Sequence, residues 1–124
     1  MYIIGSDHRH KVDAQHILER LAGERRRLVS SSEVFQEILH RYISIGRRDA
    51  IEPAFGTLRG LLDDVLAVEE VDVFAAKDIV HAHAGLSARD ALHTAVMRRN
   101  HITEIVSFDR GFDAVAGIRR LPAS

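Results

Sequence analysis

Acids carried on rigid neighbours are the first feature of this sequence that suggests chemistry. In Leu86–Asp113, LSARDALHTAVMRRNHITEIVSFDRGFD, a capped helix carries Asp90 and a small apolar strand ends at Ser107-Phe108. Asp109 follows the strand at once, and Asp113 stands four residues further on. Carboxylates held by separate elements, one at the C-terminal end of a parallel strand, are what a divalent-metal site requires. In open α/β sheets that end of the strands is where sites form. Each acid also has a plainer reading. Asp90 is the acidic residue of a Ser87 capping-box pattern, where it would satisfy a backbone N–H and complement the helix dipole. Asp109 is equally placed to cap a short helix starting at Arg110. Glu37 falls on the polar side of its helix, with Arg41 at i+4, and nothing local promotes it. His8/His10 and His81/His83 are H-x-H pairs with no third ligand at a recognisable spacing, so zinc is not favoured. With no cysteine in the chain, a metal would bind through oxygen or imidazole alone.

Those side chains need a sheet and helices to hold them. MYIIG is a brief apolar start, too short to stand as an independent element, and SDHRHK reads as loop. A helix is expected over about Val12–Ala22 with Gly23 as its stop. Leu28-Val29 is a short strand candidate. Ser30 with Glu33 matches a capping box. The helix it opens runs to about Ile45 on the spacing of Val34, Phe35, Ile38, Leu39, Tyr42 and Ile43, and Gly46 ends it. The longest helix, about Arg48–Val65, admits Pro53 in its first turns and forms an antiparallel hairpin with the preceding one. Leu66–Val68 is a weak strand, and Val71–His83 a further helix carrying Phe74, Ile79 and Val80. The Ser87-capped helix reaches about Asn100 and buries Ala88, Ala91, Leu92, Ala95 and Val96. Ile105–Ser107 is the best strand, Gly111–Val115 at most a short helix, and Ile118 with Leu121 an edge strand closed by Pro122. Helices alternating with short strands predict an α/β domain with a parallel sheet, a single unit over 1–124.

Composition bounds the rest. A chain of 124 residues with 46% hydrophobic and 28% charged residues reads as globular and large enough to bury a core. No apolar run approaches a membrane span and no signal peptide is visible, so a cytoplasmic location is expected. The net charge of −1 argues against a protein that wraps nucleic acid with its whole surface. Basic residues cluster instead at Arg25-Arg26-Arg27, Arg47-Arg48, Arg98-Arg99 and Arg119-Arg120. Such short runs either hold phosphates or are solvated helix ends, and the second reading is the commoner.

Read together, SSEVFQEILHRY around Glu37, LSARDALHTAVMRR around Asp90 and IVSFDRGFD around Asp109 and Asp113 resemble the PIN-domain ribonucleases. The resemblance is to the VapC-type toxins of bacterial toxin–antitoxin pairs and extends from Met1 to about Leu121. It implies a three-layer α/β/α fold and an acidic cluster holding Mg²⁺ or Mn²⁺, with cleavage of RNA by metal-activated water. Carried over by motif, Glu37, Asp90 and Asp109 are the implied catalytic and metal-binding acids, and Asp113 an auxiliary metal ligand. Ser107 is implied as a hydroxyl supporting the strand-end acid. Arg110, Arg98 and Arg99 are placed by proximity in sequence as phosphate contacts. Implied partners are the RNA substrate, a cognate antitoxin and a second copy of the chain, the last two expected on the helical hairpin.

The family pattern opens with a central strand ending in Asp-(Ser/Thr)-Asn, whereas MYIIGSDHRH resembles the stretch just beyond that motif. The expectation is a mostly parallel sheet whose central first strand is missing or truncated and whose first acid is absent, Asp7 lying too far into the loop to replace it. A translation start upstream of Met1, favoured by the intact remaining acids, would restore both. A truncated, inactive copy is the other outcome. A degenerate PIN fold binding antitoxin or RNA without cutting stands as the alternative function, and an unrelated α/β regulatory domain as a third.

Overall fold

Five short parallel strands form the middle layer, in the spatial order β3-β2-β1-β4-β5. The computed structural model describes residues 1–4, 11–24 and 26–121, without the side chains of residues 11–15 and 22. Asp7, His8, His10, Arg25 and Pro122 lie outside the described residues. In chain order the elements are β1 (Tyr2–Ile3), α1 (Lys11–Gly23), β2 (Val29–Ser31), α2 (Ser32–Ser44), α3 (Ile51–Leu61), β3 (Asp64–Leu66), α4 (Glu70–Ala82), α5 (Ala88–Arg99), β4 (Glu104–Val106) and β5 (Arg119–Leu121). Single 3₁₀ turns, Arg48–Ala50 and Arg110–Ala114, precede α3 and follow β4.

The sheet is parallel throughout its pairings, and its strands show the alternation that two covered faces demand. Tyr2, Val29 and Ile105 turn to one face, where Ala91, Ala95 and Met97 of α5 and Ile79 of α4 cover them. Ile3, Leu28 and Val106 turn to the other, against Leu18 and Leu21 of α1, Phe35 of α2 and Leu58 of α3. The result is the expected three-layer α/β/α arrangement. The chain winds outward from β1 through β2 to β3, then returns to β4 beside β1. The strand order therefore reverses between β1 and β4, and a crevice opens at their C-terminal ends.

The centre of the sheet is where the structure adds most to the sequence reading. MYIIG was too short to count as an element by pattern, yet Tyr2–Ile3 fills the central position. It pairs Tyr2 with Val29 on one side and Tyr2 and Ile3 with Ile105 and Val106 on the other. The central first strand is therefore present, as a two-residue element. Neighbouring groups reinforce it: Val29 N donates to Met1 O at 2.8 Å, and the buried Ser30 hydroxyl donates to Ile3 O at 2.6 Å.

Smaller differences have local causes. The cap of α2 is Ser31 rather than Ser30, its Oγ accepting from Glu33 N, because Ser30 belongs to β2. The expected Arg48–Val65 helix stops at Leu61: Asp63 exchanges backbone bonds into β2, its N donating to Leu28 O at 2.7 Å and its carboxylate accepting from Leu28 N at 2.7 Å. That contact starts β3 two residues before the expected Leu66. Gly46, at φ 70°, closes α2 as its position suggests. Phe35 and Phe55 pack at 5.0 Å between ring centroids and join α2 to α3. On α4, Phe74 is exposed rather than core, along with Val71 and Val73. Ala88 is likewise exposed, while Met97 takes a place in the core.

Candidate active site

The reversal between β1 and β4 opens into a cavity of about 1330 Å³ lined by Glu37, Ser87, Asp90, Ser107, Asp109 and Arg110 among others. Helix α5 begins at this rim. Ser87 Oγ accepts from Asp90 N at 3.1 Å, which fixes the first turn. The Asp90 carboxyl has the carboxyl of Asp109 and the Ser87 hydroxyl as close polar neighbours. Burial, followed by the hydrogen bond to Asp109 and its charge, pushes the Asp90 pKa up to about 6. Two neighbouring acids, one of them desolvated, resist sharing two negative charges, and a cation between them would relieve that.

Asp109 reaches that position through the exit from β4. Its N donates to the buried Ser107 Oγ at 3.0 Å, which holds the start of the turn behind β4. Asp109 Oδ1 also accepts from Gly111 N at 2.8 Å and caps the 3₁₀ turn. The capping reading of Asp109 is thus what its hydrogen bonds show, and the same residue lines the cavity with Asp90. Gly111 is tight here: a Cβ at this residue would lie 3.0 Å from Asp109 Oδ1.

Glu37 projects from α2 into the same cavity, one oxygen held by His93 Nε2 at 2.7 Å. Periodicity gave it no such place. Glu33, one turn earlier, is raised in pKa by partial burial and by the Glu37 charge, with His93 and Arg89 opposing. Tyr2, His93 and Glu33 are neighbours that sequence reasoning missed. A histidine on the apolar face of α5 reads as core, and its partners stand 56 and 91 residues away in the chain.

Other expected members lie elsewhere. Asp113 stands apart from the pair because Arg120, a buried residue of β5, takes both its oxygens, Nε at 2.8 Å and Nη2 at 3.1 Å. Arg120 Nη1 also donates to Ser107 O at 3.2 Å, so this pair braces the loop that carries Asp109. Arg99 is committed to the buried Asp72 of α4, at 2.7 and 2.9 Å, and to Ala67 O at 2.9 Å. Arg98 reaches Ala116 O at 3.4 Å. Neither lines the cavity, whereas Arg110 and Arg89 do.

Among the described residues, no group of three or more His, Cys, Asp or Glu side chains is spaced to hold a metal ion. The acids come together as a pair, Asp90 with Asp109, and Glu37 stands on the same cavity wall under the hold of His93. An all-oxygen pair suits a hard cation of the magnesium kind, which takes one or two carboxylates and fills its remaining positions with water and phosphate oxygens. The donors present fit such an ion.

Comparison with known proteins places the chain in a family. The family model described as PIN domain matches residues 1–118. The VapC ribonuclease Mb1869c of Mycobacterium bovis is 52% identical over 121 residues, spanning 98% of this chain and 92% of that protein. Ribonuclease VapC13 of Mycobacterium tuberculosis matches to the same extent. Ribonuclease VapC23 of Mycobacterium tuberculosis is 38% identical over 109 residues, 88% of this chain and 86% of its own length. With a three-layer fold, an acidic pair at the strand-order reversal and relatives that match nearly end to end, the chain belongs to the PIN domain family.

Proposed function

We propose that the protein is a divalent-metal-dependent endoribonuclease, the toxin component of a type II toxin–antitoxin pair. The observation that carries this reading is the Asp90–Asp109 carboxyl pair at the crevice between β1 and β4. Bound there, Mg²⁺ or Mn²⁺ would activate water, hold the scissile phosphate and stabilise the leaving 3′-oxygen. Asp90 and Asp109 supply the carboxylate ligands, and Glu37 adds negative charge from the α2 side. Arg89 and Arg110, on the same cavity, orient phosphate oxygens of the RNA strand. Asp113, Arg98 and Arg99 act elsewhere, through the contacts described above.

The names of the ribonuclease relatives support RNA as substrate. The apolar wall of the cavity, which includes Ile38, Ile45, Pro53 and Leu58, offers an antitoxin segment a place to lie. Exposed Val71, Val73 and Phe74 on α4 and Ile43 on α2 favour a homodimer. No helix among the described residues is long and apolar enough to cross a membrane, and a cytoplasmic site of action is part of the same proposal.

The test is cleavage of single-stranded RNA with Mn²⁺ or Mg²⁺. Asp90→Asn and Asp109→Asn are each expected to lower the rate by at least about 100-fold, as loss of a metal-binding carboxylate should. Cutting by both variants at the wild-type rate would remove the assignment. One observation favours a second reading, a PIN fold that binds antitoxin or RNA without cutting: the described acids form a pair rather than a three-ligand group. That reading expects RNA or antitoxin association with no metal-dependent turnover.

A further inference from the structure

His93 is fully buried on α5, and its imidazole uses both nitrogens. Nδ1 meets the Tyr2 hydroxyl at 2.5 Å, and Nε2 meets Glu37 Oε1 at 2.7 Å. The Tyr2 hydroxyl continues to Ser31 Oγ at 2.9 Å. The chain of bonds therefore starts at the end of β2, passes through the central strand and α5, and terminates on a carboxylate that lines the acidic cavity. An apolar side chain would fill the same volume without the cost of burying an imidazole, so a polar group here needs its bonds. Tyr2 and His93 also stack edge to face, 5.3 Å between centroids at 67°, which fixes the ring plane.

The partners determine where the hydrogens sit. An ionised carboxylate only accepts, so the ring hydrogen that faces Glu37 is on Nε2. In the neutral ring Nδ1 is then the acceptor, the Tyr2 hydroxyl donates to it, and Ser31 can donate to the Tyr2 oxygen. The sequence Ser31–Tyr2–His93–Glu37 is satisfied in one direction throughout. Its last member is the only one that touches the cavity, and His93 lies one helical turn after Asp90 on α5.

We propose that His93 is a positioning residue that holds the Glu37 carboxylate on the wall of the cavity that also contains Asp90 and Asp109, fixing its negative charge toward an entering divalent cation, with Tyr2 and Ser31 fixing the imidazole that does the clamping. The inference rests on the divalent-metal reading of the cavity given above.

The test separates the two ring nitrogens. In His93→Gln the side-chain amide nitrogen stands near the former Nε2 and can still donate to Glu37. In His93→Asn the amide stands near the former Nδ1, which keeps Tyr2 but releases Glu37. Mn²⁺ binding, monitored by the loss of the free-ion electron spin resonance signal, is expected to weaken at least about tenfold in His93→Asn, as for other outer-sphere partners of ligating residues. His93→Gln is expected to stay within about threefold of wild type by the same measure. Wild-type Mn²⁺ affinity in His93→Asn overturns the proposal, as does equal weakening in both variants that tracks their thermal stability. Should either variant fail to fold, long-range ¹⁵N–¹H spectra of the wild-type imidazole decide. A hydrogen on Nε2 is expected, and an Nε2 without one overturns the clamp. If the wild-type protein takes up no Mn²⁺, the metal reading falls and the positioning role with it. Mn²⁺ uptake with an indifferent His93→Asn removes the positioning role alone.

Discussion

Asp90 and Asp109 are neighbours at the lip of α5, and burial together with that proximity shapes the metal-free protein. The folded-state pKa of Asp90, about 6, lies above the ordinary 3.8, so folding favours the protonated carboxyl. Its contribution to stability is complete below about pH 4 and is lost as the pH rises through 6. Asp90→Asn should therefore stabilise the metal-free protein at pH 7 by about 1 kcal/mol, once solvent screening of a partly open carboxyl is counted. Urea unfolding with chelator at pH 4 and pH 7 checks this: the gain should appear at the higher pH and vanish at the lower. Asp72 predicts the opposite slope. Its hydrogen bonds from Arg99 hold its pKa below 3.8, so the stability it provides is present above that value and fades on acidification. At this scale the acids at strand and helix ends were legible because their spacing and neighbours encode them locally. His93 and the Arg120 that claims Asp113 were not, since each partnership joins residues that only the fold brings together.

The 3₁₀ turn after β4 is the element on which Asp109 depends. Its first amides are capped by Asp109 itself, and Gly111 leaves room for that carboxylate. Gly111→Ala places a methyl 3.0 Å from Asp109 Oδ1, which must displace the carboxylate or the turn. RNA cleavage is expected to fall about tenfold or more, as for a misplaced catalytic group, while the thermal midpoint moves little because the turn is at the surface. Comparing rate with melting temperature for this variant separates the two effects. Helix existence was readable throughout, because apolar spacing and the Ser87 cap are written within one turn or two. Helix ends were less so. The stop of α3 at Leu61 is imposed by Asp63 pairing with Leu28, a contact between chain segments that no local pattern announces.

For the molecule as a whole, the α/β class and the parallel sheet were evident from the alternation of elements, and the family resemblance implied the three layers. The two-residue centre was not evident, because a strand that short carries no period of its own and is recognised only by its neighbours. Ser30 is a test of how far the fold relies on it. Ser30→Ala leaves Ile3 O without its side-chain donor in a buried site, at a cost of about 1–2 kcal/mol. Chemical denaturation should show a lower midpoint with an unchanged slope, the sign of weakened stability in the same cooperative unit.

Glu37 reaches the cavity from the side of β2, and Asp90 and Asp109 from the side of β4. The backbone seam between those sides is only Tyr2–Ile3. So short a splice leaves the alignment of the two half-sites to hydroxyls and one imidazole: Ser30 on Ile3, Ser31 on Tyr2, and His93 across to Glu37. The narrowest joint of the sheet and the acidic cavity thus adjoin, and a change that loosens the first is expected to disturb the second.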